Sequence, residues 1–116
     1  MTKISRGQVW TVNLDPQVGA EMKKARPCVV VSSDQVGALP LKIVVPITKW
    51  QEAFQGCSWM VKIDPSQSNG LSDPSAADAF QVKSLSLERF VNLRGVLTSD
   101  QVDDIVAAVA IVIEVL

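Results

Sequence analysis

Arg26 stands immediately before Pro27 in the stretch KKARPCVVVSSD, residues 23–34. A proline disfavours helical geometry in the residue before it, so Arg26 is expected extended, at the mouth of an apolar β-branched run. A guanidinium aimed by so rigid a neighbour can offer its planar fork to a phosphate. Lys23 and Lys24, in the adjoining loop, add sequence-independent attraction for a polyanion. Ser32 brings a hydroxyl to the far end of the run. Thr48 closes a second apolar run, KIVVPIT, two residues past Pro46, and Lys49 follows at once. A hydroxyl there can donate to a phosphate oxygen. Trp50 and Phe54, in KWQEAF, are expected exposed and suited to stacking on unpaired bases, whereas Trp10 and Trp59 read as packing residues. Gln81 and Lys83 lie two apart, which on a strand puts both on one face, within reach of base edges.

The absence of histidine narrows the chemistry. It removes Ser-His-Asp and Cys-His nucleophilic catalysis and paired-histidine acid–base work. Cys28 and Cys57 show no metal or redox spacing, so no metal site and no cofactor are expected. Cys28, inside an apolar run, reads as a buried reduced thiol. Catalysis, if present, falls to Arg, Lys, Asp, Glu, Ser or Thr. The net charge of -1 hides an asymmetry: residues 1–58 hold seven basic and four acidic side chains, residues 59–116 four and eight. A local basic patch can attract a polyanion even on a near-neutral molecule.

The elements that must position these groups are short. Gln8–Leu14 alternates as a strand, but both alternating sets are partly apolar, so its facing is ambiguous. Asp15-Pro16 ends it, and 17–25 is a charged loop around Gly19. Pro27–Ser33 is a strand apolar enough for burial on both faces. In the third strand, Lys42–Thr48, the internal Pro46 predicts a sheet edge or a bulge. Strands are also expected over Trp59–Ile63, Ala79–Leu85 and Asn92–Leu97, with a long loop over Asp64–Pro74. The period then changes. Thr98 and Gln101 form a capping-box pattern, and Val102, Ile105, Val106, Val109, Val112, Ile113 and Leu116 recur at helical spacing. With 116 residues, 47% of them hydrophobic, the chain is expected to form one domain over 1–116 with a single core. No signal peptide and no bilayer-spanning run is read, so a cytoplasmic location away from membranes is expected. Five or six strands and one helix make a mainly β fold with a C-terminal α-helix, an SH3-like small barrel.

Taken together, these segments resemble the MazF/PemK (Kid) toxins. RGQVWTVNLDPQVGAEMKKARPCVVVSSD is similar to that family's opening signature, in which an R-G-x-V-[WY] strand, a D-x-x-P turn, a G-x-E loop and R-P-x-V-V-V-S follow in order. VVPIT resembles its third strand with the terminal Thr. GLSDPSAADAFQVKSLSLERF resembles its segment around Q-[IV]-[RK], and LTSDQVDDIVAAV its last helix. The resemblance implies a CcdB/PemK-type barrel, a homodimer, and a metal-independent, sequence-specific endoribonuclease toxin that cuts single-stranded RNA. Attack by the RNA 2′-OH would leave a 2′,3′-cyclic phosphate and a 5′-OH. It implies Arg26 and Thr48 as the catalytic pair and places Glu21 and Gln81 near the RNA; the residues themselves add Glu21 as a candidate base and Lys23, Lys24, Ser32, Lys49, Trp50, Phe54 and Lys83 as expected RNA contacts. A cognate antitoxin protein is implied as partner, through which the complex would reach operator DNA. Lys83 departs from the more common Arg. The competing expectation is a toxin of the same fold that poisons a protein target, as the gyrase poison CcdB does, and cleaves nothing.

Overall fold

A computed structural model of the chain describes residues 3–115, so Leu116 of the helical pattern lies outside the described residues. The strands are β1 (Gln8–Asn13), β2 (Ala25–Val30), β3 (Leu41–Lys49), β4 (Met60–Ile63), β5 (Ser75–Asp78), β6 (Lys83–Ser86) and β7 (Phe90–Val96), followed by the helix α1 (Ser99–Val112). Every pairing is antiparallel. The order is β4-β5-β3-β2-β1-β7, with β6 joined to β3. The two ends of this path do not pair, so the sheet is not a closed barrel.

The seven strands exceed the expected five or six for a local reason. The additional strand is β5, which precedes the strand expected over Ala79–Leu85, and that stretch opens on a single 3-10 turn, Ala79–Gln81. Asp78 starts that turn by accepting from the Phe80 N–H at 3.1 Å. Strand structure therefore lies on either side, in β5 and β6.

Pro46 does not mark a sheet edge, because β3 lies inside the sheet. Its one side pairs with β2, and its other side is shared between two strands. Leu41–Val44 pair with β6, and Ile47–Lys49 pair with β5. Pro46, fully buried, sits where β3 passes from one partner to the other. A missing N–H costs no ladder bond at such a junction.

The ambiguous alternation of β1 has its explanation in burial on both faces. Val9 belongs to one hydrophobic cluster with Val29, Val45, Ile47 and Ile63, covered by Val102 and Ile105 of α1. Trp10, Val12 and Leu14 belong to another, with Cys28, Val30, Val44 and Leu85. With Val9 buried on one face and Trp10 and Val12 on the other, only the strand end at Asn13 is exposed, so the pattern does not announce a facing.

The helix starts as its pattern predicts. The Thr98 hydroxyl oxygen accepts from the Gln101 N–H at 3.1 Å, and Gln101 Oε1 accepts from the Thr98 N–H at 2.9 Å. Val102, Ile105 and Ala108 are buried, whereas Ile113 is exposed just past the helix end. Among the described residues no helix is long and apolar enough to cross a membrane.

Candidate functional site

The register of β2 against β3 sets Cys28 opposite Pro46. Continued by two residues, it brings Arg26 opposite Thr48. The side chains meet: Arg26 Nη1 lies 3.5 Å from Thr48 Oγ1, a long hydrogen bond that an incoming oxygen could displace. The rest of the guanidinium is anchored, because Nε donates to the Lys23 carbonyl at 2.9 Å. The preceding loop is closed at its base, where Leu14 N–H donates to the Lys24 carbonyl and Lys24 N–H to Asp15 Oδ1, both at 2.9 Å. Lys24 takes a left-handed conformation there, with φ of 69°. A non-glycine residue at such an angle needs surrounding contacts to hold it.

Arg26 and Thr48 line a groove of about 390 Å³, with Ile47 and Leu71 among its apolar lining residues. Four cationic side chains line it, those of Lys24, Arg26, Lys49 and Arg94, against one carboxylate, Asp73. Lys49 Nζ lies 3.7 Å from Asp73 Oδ2, with both side chains largely exposed, so this pair is weak. The groove has the charge and hydrogen-bond donors to hold a phosphate. Its lining contains neither a histidine nor a pair of carboxylates. Among the described residues no cluster of His, Cys, Asp and Glu has a metal-holding arrangement.

The other sequence-predicted residues are dispersed. Glu21 is absent from the groove lining, and its Oε1 accepts from the Val18 N–H at 2.9 Å within its own turn. Lys23 is exposed and contributes its carbonyl as the anchor for Arg26. Ser32 is outside the lining too, and its hydroxyl accepts from Ile43 N–H at 3.1 Å. Gln81 and Lys83 do not share a strand face, since Gln81 ends the 3-10 turn and Lys83 opens β6. The Gln81 amide holds the charged loop instead: Oε1 accepts from Met22 N–H at 2.7 Å, and Nε2 lies 3.5 Å from the Ala20 carbonyl. It also lies 3.4 Å from Asp78 Oδ2. Burial pushes the Asp78 carboxyl up from its ordinary value, with the bonds from Phe80 and Gln81 pulling it back.

The aromatic expectations are partly reversed. Trp50 and Phe54 are half-buried and packed edge to face, with ring centroids 5.8 Å apart, and Lys62 Nζ sits 5.2 Å over the Trp50 ring. Trp59, read as a packing residue, is 37% exposed, and Phe80, its edge-to-face neighbour, is 67% exposed. Trp10 is buried as expected and meets Phe90 edge-on. Cys28 is fully buried, and burial pushes its thiol up to about 12.

Sequence reasoning missed Arg94, which reaches the groove from β7. The available signal was Gly95, because a glycine inside a strand often marks a bulge or a close backbone approach.

Fold and groove define a small antiparallel-sheet protein with a cationic, histidine-free cleft at the β2–β3 junction. The chain belongs to the PemK-like, MazF-like toxins of type II toxin–antitoxin systems, whose family description its residues 5–113 match. It is 34% identical over 98 residues to Endoribonuclease MazF9 of Mycobacterium tuberculosis (strain ATCC 25618 / H37Rv), covering 74% of this chain and 75% of that one. It is 33% identical over 64 residues to Endoribonuclease PemK of Escherichia coli, covering 53% and 47%. Among solved structures, MazF (Form-I) from Deinococcus radiodurans superposes with a TM-score of 0.79 at 21% identity, covering 96% of each chain. An endoribonuclease in complex with its cognate antitoxin, from a mycobacterial species, gives 0.75 at 19% identity, covering 97% and 96%.

Proposed function

We propose that this protein is a sequence-specific, metal-independent endoribonuclease toxin acting on single-stranded RNA. The observation that carries the proposal is the Arg26–Thr48 pair, held face to face across β2 and β3 inside a cationic groove. Membership of a toxin family with relatives named as endoribonucleases supports it over a protein-directed poison.

The nucleophile belongs to the substrate. The RNA 2′-OH attacks the adjacent phosphorus, the 5′-oxygen of the next nucleotide leaves, and a 2′,3′-cyclic phosphate and a 5′-OH result. The protein must orient the phosphate and stabilise the charge that grows on its oxygens. Arg26 supplies the charge with a fork fixed by Lys23, and the Thr48 hydroxyl supplies a neutral donor. The guanidinium stays protonated at neutral pH, so it acts as electrostatic stabiliser and not as general base. Glu21, engaged with Val18 away from the groove lining, gains no support as the base.

The reading extends to partners. The active form is a homodimer, supported by the uncovered apolar side chains of Ile111, Ile113 and Val115 at the end of α1. A cognate antitoxin with an acidic segment neutralises the toxin by lying over Lys23, Lys24 and Arg26, and links the complex to operator DNA. The protein works in the cytoplasm. The test is cleavage of a long mixed-sequence RNA in EDTA, mapping every new 5′ end, with Arg26→Ala alongside. Cuts at one short motif that vanish in the variant are expected. Intact RNA with the wild-type protein refutes the nuclease reading.

A further inference from the structure

β7 pairs with β1 through Gly95 opposite Val9 and Leu93 opposite Trp10, which leaves Arg94 with no partner residue. Arg94 is the extra residue of a β-bulge, a device that bends a strand and re-aims a side chain. Its guanidinium lies over β1: Nη1 is 3.4 Å from Thr11 Oγ1, and Nη2 donates to the Gly70 carbonyl at 3.0 Å. The Nε is buried without a partner. A guanidinium has five N–H donors, and Thr11 and Gly70 take one each. The strand is clamped to the loop that supplies Gly70. A Cβ on Gly70 would stand 2.2 Å from the Arg94 carbonyl oxygen, and one on Gly95 2.3 Å from that of Ser68. Arg94 is thus fixed from two sides, yet no carboxylate answers its charge; the one ion pair among the described residues joins Lys49 and Asp73. A partly buried cation without a counter-charge is poorly solvated, and an anion in the groove would relieve it.

We infer that Arg94 is a second phosphate-binding residue, taking the phosphate next to the one held by Arg26 and Thr48. This deepens the single-stranded RNA reading and rests on it. Both arginines line one groove, but the anchors of their guanidiniums differ. Arg26 is tied to Lys23 and to Thr48 on β3, on the far side of β2 from β1. Arg94 is tied to Thr11 and Gly70. With β1 between β2 and β7, the two backbones stand about 10 Å apart. Two guanidiniums so anchored suit two phosphates of one strand.

The test uses a fluorescently labelled, mixed-sequence single-stranded DNA pool, which lacks the 2′-OH and is not cleaved. Binding is titrated against salt for wild type, Arg94→Gln, Arg94→Lys, Arg26→Ala and the Arg26→Ala, Arg94→Gln double variant. Each lost phosphate contact on a single strand lowers the slope of log affinity against log salt by about 0.7. Arg94→Gln is expected to bind about tenfold more weakly, the size of a lost hydrogen bond to a charged group, with a slope lower by about 0.7. Arg94→Lys keeps the wild-type slope, and the double variant loses about 1.4. An Arg94→Gln protein that melts early but retains the wild-type slope assigns Arg94 a purely structural role and overturns the inference. A double variant that loses no more slope than Arg26→Ala overturns it as well, since one phosphate would then serve both. A wild-type protein with no salt-dependent binding sinks the polyanion reading itself, and this inference with it.

Discussion

Asn69 is a buried polar residue outside the Arg26–Thr48 pair, and its replacement by alanine is expected to destabilise the protein strongly. It is 1% exposed. Its Oδ1 accepts from Ser66 N–H and Leu71 N–H, both at 3.0 Å, and its Nδ2 donates to the Asp64 carbonyl at 2.9 Å. Alanine removes all three bonds. The Leu71 N–H is buried and would go unsatisfied, costing about 2 kcal/mol. The Ser66 and Asp64 groups are half-buried and can recover water, at about 1 kcal/mol each. The total is about 4 kcal/mol, a large share of the ~6–17 kcal/mol typical for a chain this long. Urea unfolding at one fixed protein concentration reads it out; fixed concentration matters because dimerisation would couple to stability. With a slope of about 2 kcal/mol per molar, the midpoint should fall by about 2 M with the slope unchanged. Activity should drop too, because Leu71, Ser72 and Asp73 form one wall of the groove. A midpoint shift below about 0.3 M would refute the claim that this side chain organises the 64–74 loop.

Thr48→Val keeps the shape of a strand residue and removes the donor. It should lower kcat by about tenfold to a hundredfold with the melting temperature nearly unchanged, and kinetics at wild-type rate would remove Thr48 from the mechanism. Gly95→Ala would force a Cβ to within 2.3 Å of Ser68 O and 2.6 Å of Asn69 C, both backbone atoms that cannot swing away. A loss of about 1–3 kcal/mol is expected by urea unfolding. Cys28 should resist alkylation in the native state at pH 8 while Cys57, only half-buried, reacts, as mass spectrometry of the labelled protein will report. Because the folded thiol is raised to about 12, the native state holds this proton more tightly than the unfolded chain. Its stabilising contribution is intact below the ordinary thiol range and is lost as pH rises from there towards 12. Cys28→Ala should flatten that alkaline decline.

Local signals were sufficient where neighbours in the chain decide the outcome. The Thr98–Gln101 capping box places a helix start because both hydrogen bonds lie within one turn. The Arg26-Pro27 step and the apolar run behind it announced an extended arginine at a buried strand, because a proline restricts its predecessor whatever surrounds it. The period of the last segment marked a helix over most of its length, since burial of one stripe needs only that spacing.

What the chain pattern could not decide depends on pairing between distant segments. That Arg26 faces Thr48 follows from the β2–β3 register, which many intervening residues separate from any local signal. Trp50 is more covered and Trp59 more exposed than expected, because an aromatic is buried or exposed according to what lies against it, here Phe54 and Lys62 against Trp50. Gln81 became a tether for the charged loop because the 3-10 turn brings its amide to Met22. Arg94 entered the groove through a bulge that exists only once β7 is laid along β1, with Gly70 and Gly95 admitting the close approach. The residue types and short-range geometry of this protein are written in its sequence. The convergence of cations on one groove is a property of the assembled sheet, since registers are set by which long-range packing buries the most apolar surface at the least cost in unpaired groups.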